Sequence, residues 1–311
     1  MSTANPYRGA LLVAAASGVW SSGSLIARLL GTDPWTTNFW RGLFSAAMLL
    51  AVLAWSFRRT GTAWPRLGWP ALVFAGGIAL ASTCFLLALQ RTSVANTLVV
   101  MSIGPYLAGL LGWLILGERV RARSWVTMAV TVAGTVIMVS GSWGAGTLTG
   151  DLLALGMAAA FAVGVVAVRA NPGVPMGPAA AVGALLASAL ALPFATPFAV
   201  GERDLVLLVL FGMQFAGGFL LFTAGAAAIP AAEASLIGLL ETVLGPLWVW
   251  LLLGEQPGPW TLLGGGLVLA AVVTHAALDL FWPQRFPIPS PPRGGGGDSD
   301  PLSPARGRGS G

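Results

Sequence analysis

Two ionisable residues stand where an ionisable residue is expensive. Glu241 lies about eleven residues into the apolar stretch 231–253, and Arg41 about five residues into the stretch 36–57. A charge carried into hydrocarbon must be neutralised, paired or used. Glu241 can bind a substrate ammonium group, a cationic solute or a proton; the plainer alternative is a hydrogen-bonded carboxyl that locks helix packing. The Arg41 guanidinium is a planar fork suited to a carboxylate such as that of an amino acid. Snorkelling to the interface, or a structural pair with an acid, are its alternatives. Glu233, nearer the start of its stretch, reads as a helix N-terminal charge favoured by the dipole. Trp20, Ser21, Ser22 and Ser24 form a polar-aromatic patch in the first apolar stretch. A tryptophan face attracts cations, whereas serines and Gly23 equally suit close helix packing. Asn38, Asn96, Ser102, Tyr106 and Gln214 are further polar groups in apolar runs, able to face a cavity or to bond a neighbouring helix.

Other chemistries lack their residues. Cys84 is the single cysteine and His275 the single histidine, so an intrachain disulfide, a cysteine metal cluster and multi-histidine metal sites are excluded. His275 and Asp279, four apart, read as a local pair on one helical face rather than a proton relay. No metal and no cofactor is expected.

The elements that must position these residues are membrane helices. The chain is 56% hydrophobic and 9% charged, with a mean hydropathy of +0.81, against about 25% charged residues in a soluble domain. About 20 apolar residues cross a bilayer core of roughly 30 Å. Ten segments meet this: 8–28, 36–57, 69–90, 93–116, 122–142, 150–170, 177–199, 204–228, 231–253 and 259–282. Short Gly-, Pro- and Arg-bearing turns join them, Gly117-Glu118 and Gly254-Glu255 reading as helix caps and loop. The first segment reads as an uncleaved span. Pro105, Pro193 and Pro246 are expected to interrupt helices. Gly264-Gly265-Gly266 implies close helix contact, within the chain or in a homodimer. The Pro- and Gly-rich stretch 283–311 reads as a disordered cytoplasmic tail.

All 16 basic residues are arginines. With the N-terminus in the cytoplasm, that side collects Arg8, Arg58, Arg59, Arg66, Arg119, Arg121, Arg123, Arg169, Arg285, Arg293, Arg306 and Arg308. The other side collects Arg28, Arg41, Arg91 and Arg203, twelve against four. The positive-inside rule then puts both termini in the cytoplasm of an inner (plasma) membrane, multi-pass protein. The same rule explains the basic balance without nucleic acid. A lipid bilayer and a small-molecule substrate are the partners expected.

The chain repeats itself. Shifted by 137 residues, Leu114 to Glu118 falls on Leu251 to Glu255, and Ala95 on Ala232. Shifted by 141, Gly9 falls on Gly150, Trp20 on Phe161, Gly23 on Gly164 and Arg28 on Arg169. Trp20 and Phe161 are thus a candidate pair flanking a ligand. Each half, 1–142 and 150–282, holds five spans; an odd number inverts the second half, which places a solute site near the midplane between them. The fold class expected is an all-α integral membrane protein of about ten transmembrane helices, as two inverted five-helix repeats.

Two stretches then carry a resemblance. Thr92-Ser93-Val94-Ala95-Asn96 through Gly104-Pro105 to Leu114-Ile115-Leu116-Gly117-Glu118 is similar to the signature of the EamA-type families of the drug/metabolite transporter superfamily. A second copy runs from Ala231-Ala232-Glu233-Ala234 through Leu240-Glu241 to Leu253-Gly254-Glu255, and Phe39-Trp40-Arg41-Gly42 also resembles that family. The chain departs from it at Glu241-Thr242, where members often have Glu-Pro; here the proline follows at Pro246. The resemblance implies solute export or exchange without ATP. An integral-membrane enzyme acting on a lipid or isoprenoid substrate is the alternative, but such enzymes usually gather acids, arginines or histidines, and the sequence shows no such cluster.

Overall fold

A computed structural model describes residues 6–117, 122–140, 147–171, 173–226 and 240–281, with short stretches at 228–229 and 237–238. Every regular element among them is helical. In chain order they are α1 (Pro6–Leu29), α2 (Pro34–Thr60), α3 (Trp69–Leu89), α4 (Val94–Met101), α5 (Gly104–Leu116), α6 (Ala122–Ser140) and α7 (Leu148–Ala170). Then follow α8 (Met176–Ala191) with a 3-10 turn (Leu192–Phe194), α9 (Glu202–Ala226), α10 (Leu240–Leu253) and α11 (Pro259–Phe281). With α4 and α5 taken as one broken span, seven are long and apolar enough to cross a membrane. α6, α10 and α11 contain shorter apolar helices. At 1.5 Å per residue, the 21 residues of α3 rise about 32 Å, a bilayer core. Outward faces carry bare leucines, such as Leu251, Leu252, Leu262 and Leu263, which suits a lipid environment rather than water. This is an integral membrane protein.

Local chemistry sets the ends. Asp33 caps α2, its carboxylate accepting from the amides of Trp35 at 2.9 Å and Thr36 at 3.0 Å, and Pro34 follows. Partial burial opposes its charge, but the hydrogen bonds from Thr36 and Trp35 outweigh it and hold the carboxyl below its usual range. Gly117 ends α5 and Gly254 follows α10, with φ of 67° and 72°. This left-handed conformation favours glycine, and the two positions are repeat equivalents. Pro105 has no N–H to offer the carbonyl of Met101 and its ring crowds that carbonyl, so the fourth span breaks between α4 and α5. Pro246 is accommodated inside α10. Pro193 sits in the 3-10 turn that terminates α8.

The packing maps onto itself when the halves are exchanged. α1 packs on α9 as α7 packs on α3; α2 on α9 as α8 on α3; α1 on α10 as α7 on α4 and α5. Three pairings, α2 with α8, α6 with α11 and α4 with α10, are their own counterparts. Glycine crossings repeat the same way. A Cβ on Gly9 would lie 2.8 Å from Ile229 and 2.9 Å from Ala228; one on Gly150 would lie 2.7 Å from atoms of Arg91 and Thr92, the equivalent residues under the 137-residue shift. Gly23 faces Phe211 as Gly164 faces Phe74. This is the architecture of two inverted five-helix repeats. Gly264 is used inside the chain, where its carbonyl would lie 2.8 Å from a Cβ on Gly134 of α6.

The α2–α8 crossing leaves no room for a methyl group. A Cβ on Gly42 would stand 2.5 Å from the carbonyl oxygen of Ala184 and 3.0 Å from the amide of Ser188, both backbone atoms. Gly42→Ala should cost about 1–3 kcal/mol by overpacking. Gly76→Ala, with nothing within 4 Å of its Cβ, should be neutral or stabilising by up to about 1 kcal/mol. Thermal unfolding of the detergent-solubilised variants checks the contrast; equal melting temperatures would contradict it.

Candidate functional site at Arg41

Arg41, on the second turn of α2, is buried with 8% of its surface exposed. Its guanidinium is held from two sides. Nη1 donates to the Ser82 hydroxyl at 2.7 Å; that hydroxyl donates to Asn38 Oδ1 at 2.8 Å; Asn38 Nδ2 donates to the Thr83 hydroxyl at 2.9 Å. The remaining Asn38 bond reaches the carbonyl of Ala187 on α8 at 3.4 Å. Every polar atom of this chain has its direction fixed by the next. On the other side the guanidinium carbon stands 4.6 Å from the ring centre of Phe211, 4.9 Å from Phe215 and 5.9 Å from Phe85. Aromatic faces are the uncharged groups best able to shelter a cation. Nε of Arg41 is buried without a hydrogen-bond acceptor, a group that ordinarily finds one.

Glu241 lies on α10 and is partly accessible. It lies within electrostatic reach of Arg41 without a direct ion pair. Counting from the helix ends, Arg41 is about 10 Å and Glu241 about 18 Å along its span, so the two opposite charges sit at intermediate depth, on different halves of the chain.

The neighbouring polar groups are tied to helix backbones. Gln214 Nε2 donates to the carbonyls of Val19 and Trp20, both at 2.9 Å, fastening α9 to α1. Trp20 Nε1 donates to the carbonyl of Phe215 at 3.3 Å, and its ring lies 5.5 Å from that of Phe222. Ser21 donates to Gly18 O at 2.7 Å and accepts from Trp248 Nε1 of α10 at 3.1 Å. Trp20, Ser21 and Gln214 therefore join α1 to α9 and α10 beside Phe211 and Phe215. Phe161 does not share this setting: it is half-exposed, 3.6 Å from the Cβ position of Gly104. Tyr106 is partly buried, packed against the core cluster that holds Ala88, Val99, Val100 and Ile103. Ser102 is a backbone cap, donating to Val99 O at 2.6 Å. Glu233 and the side chains of His275 and Asp279 lie outside the described residues.

Asn96 belongs to a second cluster, at the end of the bundle where α1 finishes. Its Nδ2 donates to Asp151 Oδ1 at 3.2 Å, Thr92 donates to the same oxygen at 2.7 Å, and Thr261 of α11 donates to Asn96 Oδ1. Beside it, Arg28 makes an ion pair with Glu255: Nη2 donates to Oε1 at 3.1 Å, and Nε stands 2.9 Å from Oε2. The sequence reading missed Ser82, Thr83 and the three phenylalanines around Arg41. Hydroxyls and rings in an apolar run carry no signal of which helix they face.

The comparisons with known proteins come down on the same class. The EamA-like transporter family model matches residues 7–140 and again 148–275. The chain belongs to the EamA-like transporter family. It is 27% identical over 247 residues to an uncharacterized transporter, YwfM, of Bacillus subtilis (strain 168), a match covering 75% of this chain and 80% of the relative. A crystal structure at 21% identity superposes with a TM-score of 0.64 over 88% of this chain and 99% of that one; it shares the fold. The protein is a membrane transporter.

The Asn38–Ser82–Arg41 chain makes a stability prediction. Ser82→Ala removes the acceptor of Arg41 Nη1 and the donor to Asn38 together, and should cost about 1–3 kcal/mol. Ser22→Ala, which removes a bond only to Val19 O of its own helix, should change stability by less than about 0.5 kcal/mol. Thermal denaturation in detergent measures both; a Ser82→Ala protein as stable as the Ser22→Ala protein would show that the chain does not hold Arg41.

Proposed function

We propose that the protein is a secondary transporter, moving a small organic metabolite such as an amino acid by export or exchange, without ATP and without catalysing a reaction. One observation carries the reading. A buried guanidinium with an unsatisfied N–H stands near a carboxylate from the opposite half, at intermediate depth in the bundle. A zwitterion answers both groups. Its carboxylate supplies the acceptor that Arg41 Nε lacks, in the planar geometry an arginine favours. Its ammonium, or a proton in its absence, is the natural counter-charge for Glu241. Trp20 and the phenylalanines supply an apolar wall. An inverted repeat supports alternating access, in which one half rocks against the other about such a site. We place the protein in the inner membrane with both termini in the cytoplasm, on the arginine asymmetry; the Arg28 end of the bundle then faces outward. The two five-helix repeats are taken as residues 1–142 and 150–282.

Reconstitution into proteoliposomes and counterflow of labelled amino acids tests transport directly. Glu241→Gln keeps shape and hydrogen bonding but removes titration. It should cut the rate at least about tenfold and flatten its pH dependence, with normal expression. Arg41→Lys keeps the charge but loses the fork, and should raise the apparent KM more than it lowers the maximal rate. Normal transport by Glu241→Gln at every pH would remove Glu241 from the mechanism. For orientation, reporter fusions at Gly146 and at residue 290 should report opposite sides, 290 in the cytoplasm. The same side for both would contradict the ten-span arrangement.

A further inference from the structure

A cavity of about 150 Å³ lies between α1, α2 and α3 at the Arg28 end of the bundle. Ala27, Arg28, Thr37, Leu86, Leu89 and Gln90 are in its wall. Burial gives the cavity a direction. Gln90 is exposed and Arg28 partly so, whereas Thr37 is 4% exposed and Leu86 and Leu89 3% each. The first two form its rim and the last three its floor. That floor lies above Arg41. Thr37 stands one turn outward of Arg41 on α2, and Leu86 one turn outward of Ser82 on α3, at the four-residue spacing that shares a helix face. Leu86 and Leu89 belong to one buried cluster with Phe85 and Phe211, whose rings flank the guanidinium. A single layer of side chains thus separates the floor from Arg41. The opposite direction is closed more deeply. Ser45, one turn inward of Arg41, donates to the carbonyl of Arg41 at 2.6 Å and to that of Gly212 at 3.0 Å. One turn further, Leu49 packs with Phe74, Ala180, Ala216 and Phe219, and Trp20 and Met48 lie against them.

We propose that this cavity is the outward antechamber of the transport path, holding a small, net-neutral polar solute that reaches Arg41 past the Phe85 ring. Its size and wall set the class of solute. The volume is below the roughly 300 Å³ at which pockets for drug-sized ligands begin, and suits a small metabolite. Arg28, the charged residue of the wall, is already matched by Glu255, which also accepts from the amide of Val94 at 2.9 Å. A solute therefore meets a wall without net charge, with Thr37 and Gln90 as its polar groups, and meets an unsatisfied cation only at Arg41. Phe85 is the side chain best placed to yield. It adjoins Leu86 on α3, one turn outward of Ser82, and its ring centre is the most distant of the three from the guanidinium, at 5.9 Å. The inference rests on the transport reading above. Most of its test reads the accessibility of thiols rather than the movement of a solute, so either can fail alone.

The test uses the full chain in intact cells with Cys84→Ala as background. A small membrane-impermeant methanethiosulfonate is added from outside. Glu202→Cys is exposed at the same end, where the Gly31 amide meets Asp204. It should label fully; if it does not, the orientation is reversed and inside-out vesicles give the same test. Thr37→Cys should label at least about tenfold faster than Thr36→Cys, a neighbour just as buried that faces Thr196 instead of the cavity. Ser82→Cys, at the depth of Arg41, should label slowly, and Phe85→Ala should raise its rate at least about fivefold. Ser45→Cys should stay slow with or without Phe85→Ala. In proteoliposomes, modification of Thr37→Cys fills the cavity of a protein already folded. It should abolish counterflow of labelled amino acids, and dithiothreitol, by reducing the mixed disulfide, should restore it. Four results overturn the proposal. Thr37→Cys no faster than Thr36→Cys means that the cavity is not open from outside. An unchanged Ser82→Cys rate on adding Phe85→Ala removes the route past that ring. Equal acceleration at Ser45→Cys means that Phe85→Ala merely loosens the fold. Counterflow that survives full modification of Thr37→Cys takes the cavity off the transport path. No counterflow by the unmodified protein, with the labelling order kept, would overturn the transport reading and leave the route to Arg41 standing.

Discussion

A guanidinium cannot be left bare in hydrocarbon, and much of the bundle's interior answers that constraint. Arg41 is more than nine-tenths buried. Its charge is met by one hydroxyl, three aromatic faces and a more distant carboxylate rather than by a tight ion pair. A close carboxylate would quench it and leave nothing for a ligand. Rings stabilise a cation without competing for its hydrogen bonds. The hydroxyl is itself spoken for by Asn38, so one corner of the guanidinium is fixed and another is left open. Asn38 in turn needs Thr83 and the α8 backbone. The arrangement therefore draws on α2, α3, α8 and α9, and holds only where all four meet.

Close helix approach is what lets them meet. Hydrophobic burial cannot drive helix association inside a bilayer, since lipid tails are as apolar as leucine. Small residues do it instead. Gly42 abuts the α8 backbone, and Gly212 would place a Cβ 2.5 Å from Phe44 and 3.1 Å from the carbonyl of Arg41 itself. The same glycines that build the scaffold thus set the height and rotation of the charged side chain. Gly218 does likewise for Trp20, whose indole fills the space that a Cβ there would need.

The scaffold was largely legible in the sequence because bilayer thickness and gene duplication both leave periodic marks. The apolar segments, the turns and the paired glycines Gly9/Gly150 and Gly23/Gly164 could be read directly, and each glycine of a pair meets equivalent neighbours in the fold. The surroundings of the site were less legible. Arg41 and Glu241 stood out because charge in an apolar run is costly, but their partners did not, since Ser82 and Phe211 are ordinary residues for a membrane helix. Glu255 read as a loop residue beside its own glycine. Its true partners, Arg28 and Val94, are 227 and 161 positions away, a distance that only tertiary packing closes. Phe161 shows the limit of the repeat itself. It matches Trp20 by position, yet Trp20 has Gly218 to receive its ring, whereas Phe161 stands half-exposed beside Gly104. Duplication preserved the backbone path more faithfully than the side-chain surroundings.

The three self-paired contacts have a geometric meaning of their own. An exchange of roles between the halves turns the α1–α9 contact into the α7–α3 contact, and the reverse. It returns α2–α8, α6–α11 and α4–α10 to themselves. These contacts lie across the pseudo-two-fold axis, where a rotation produces the least displacement. On the alternating-access proposal they form the fulcrum, and at the Gly42–Ala184 crossing backbone meets backbone with no room for a methyl group. An alteration at the ends of the bundle acts on one conformation at a time. An alteration at the fulcrum weighs on both equally, so evolution can adjust the preference between states at the periphery while the axle is left untouched.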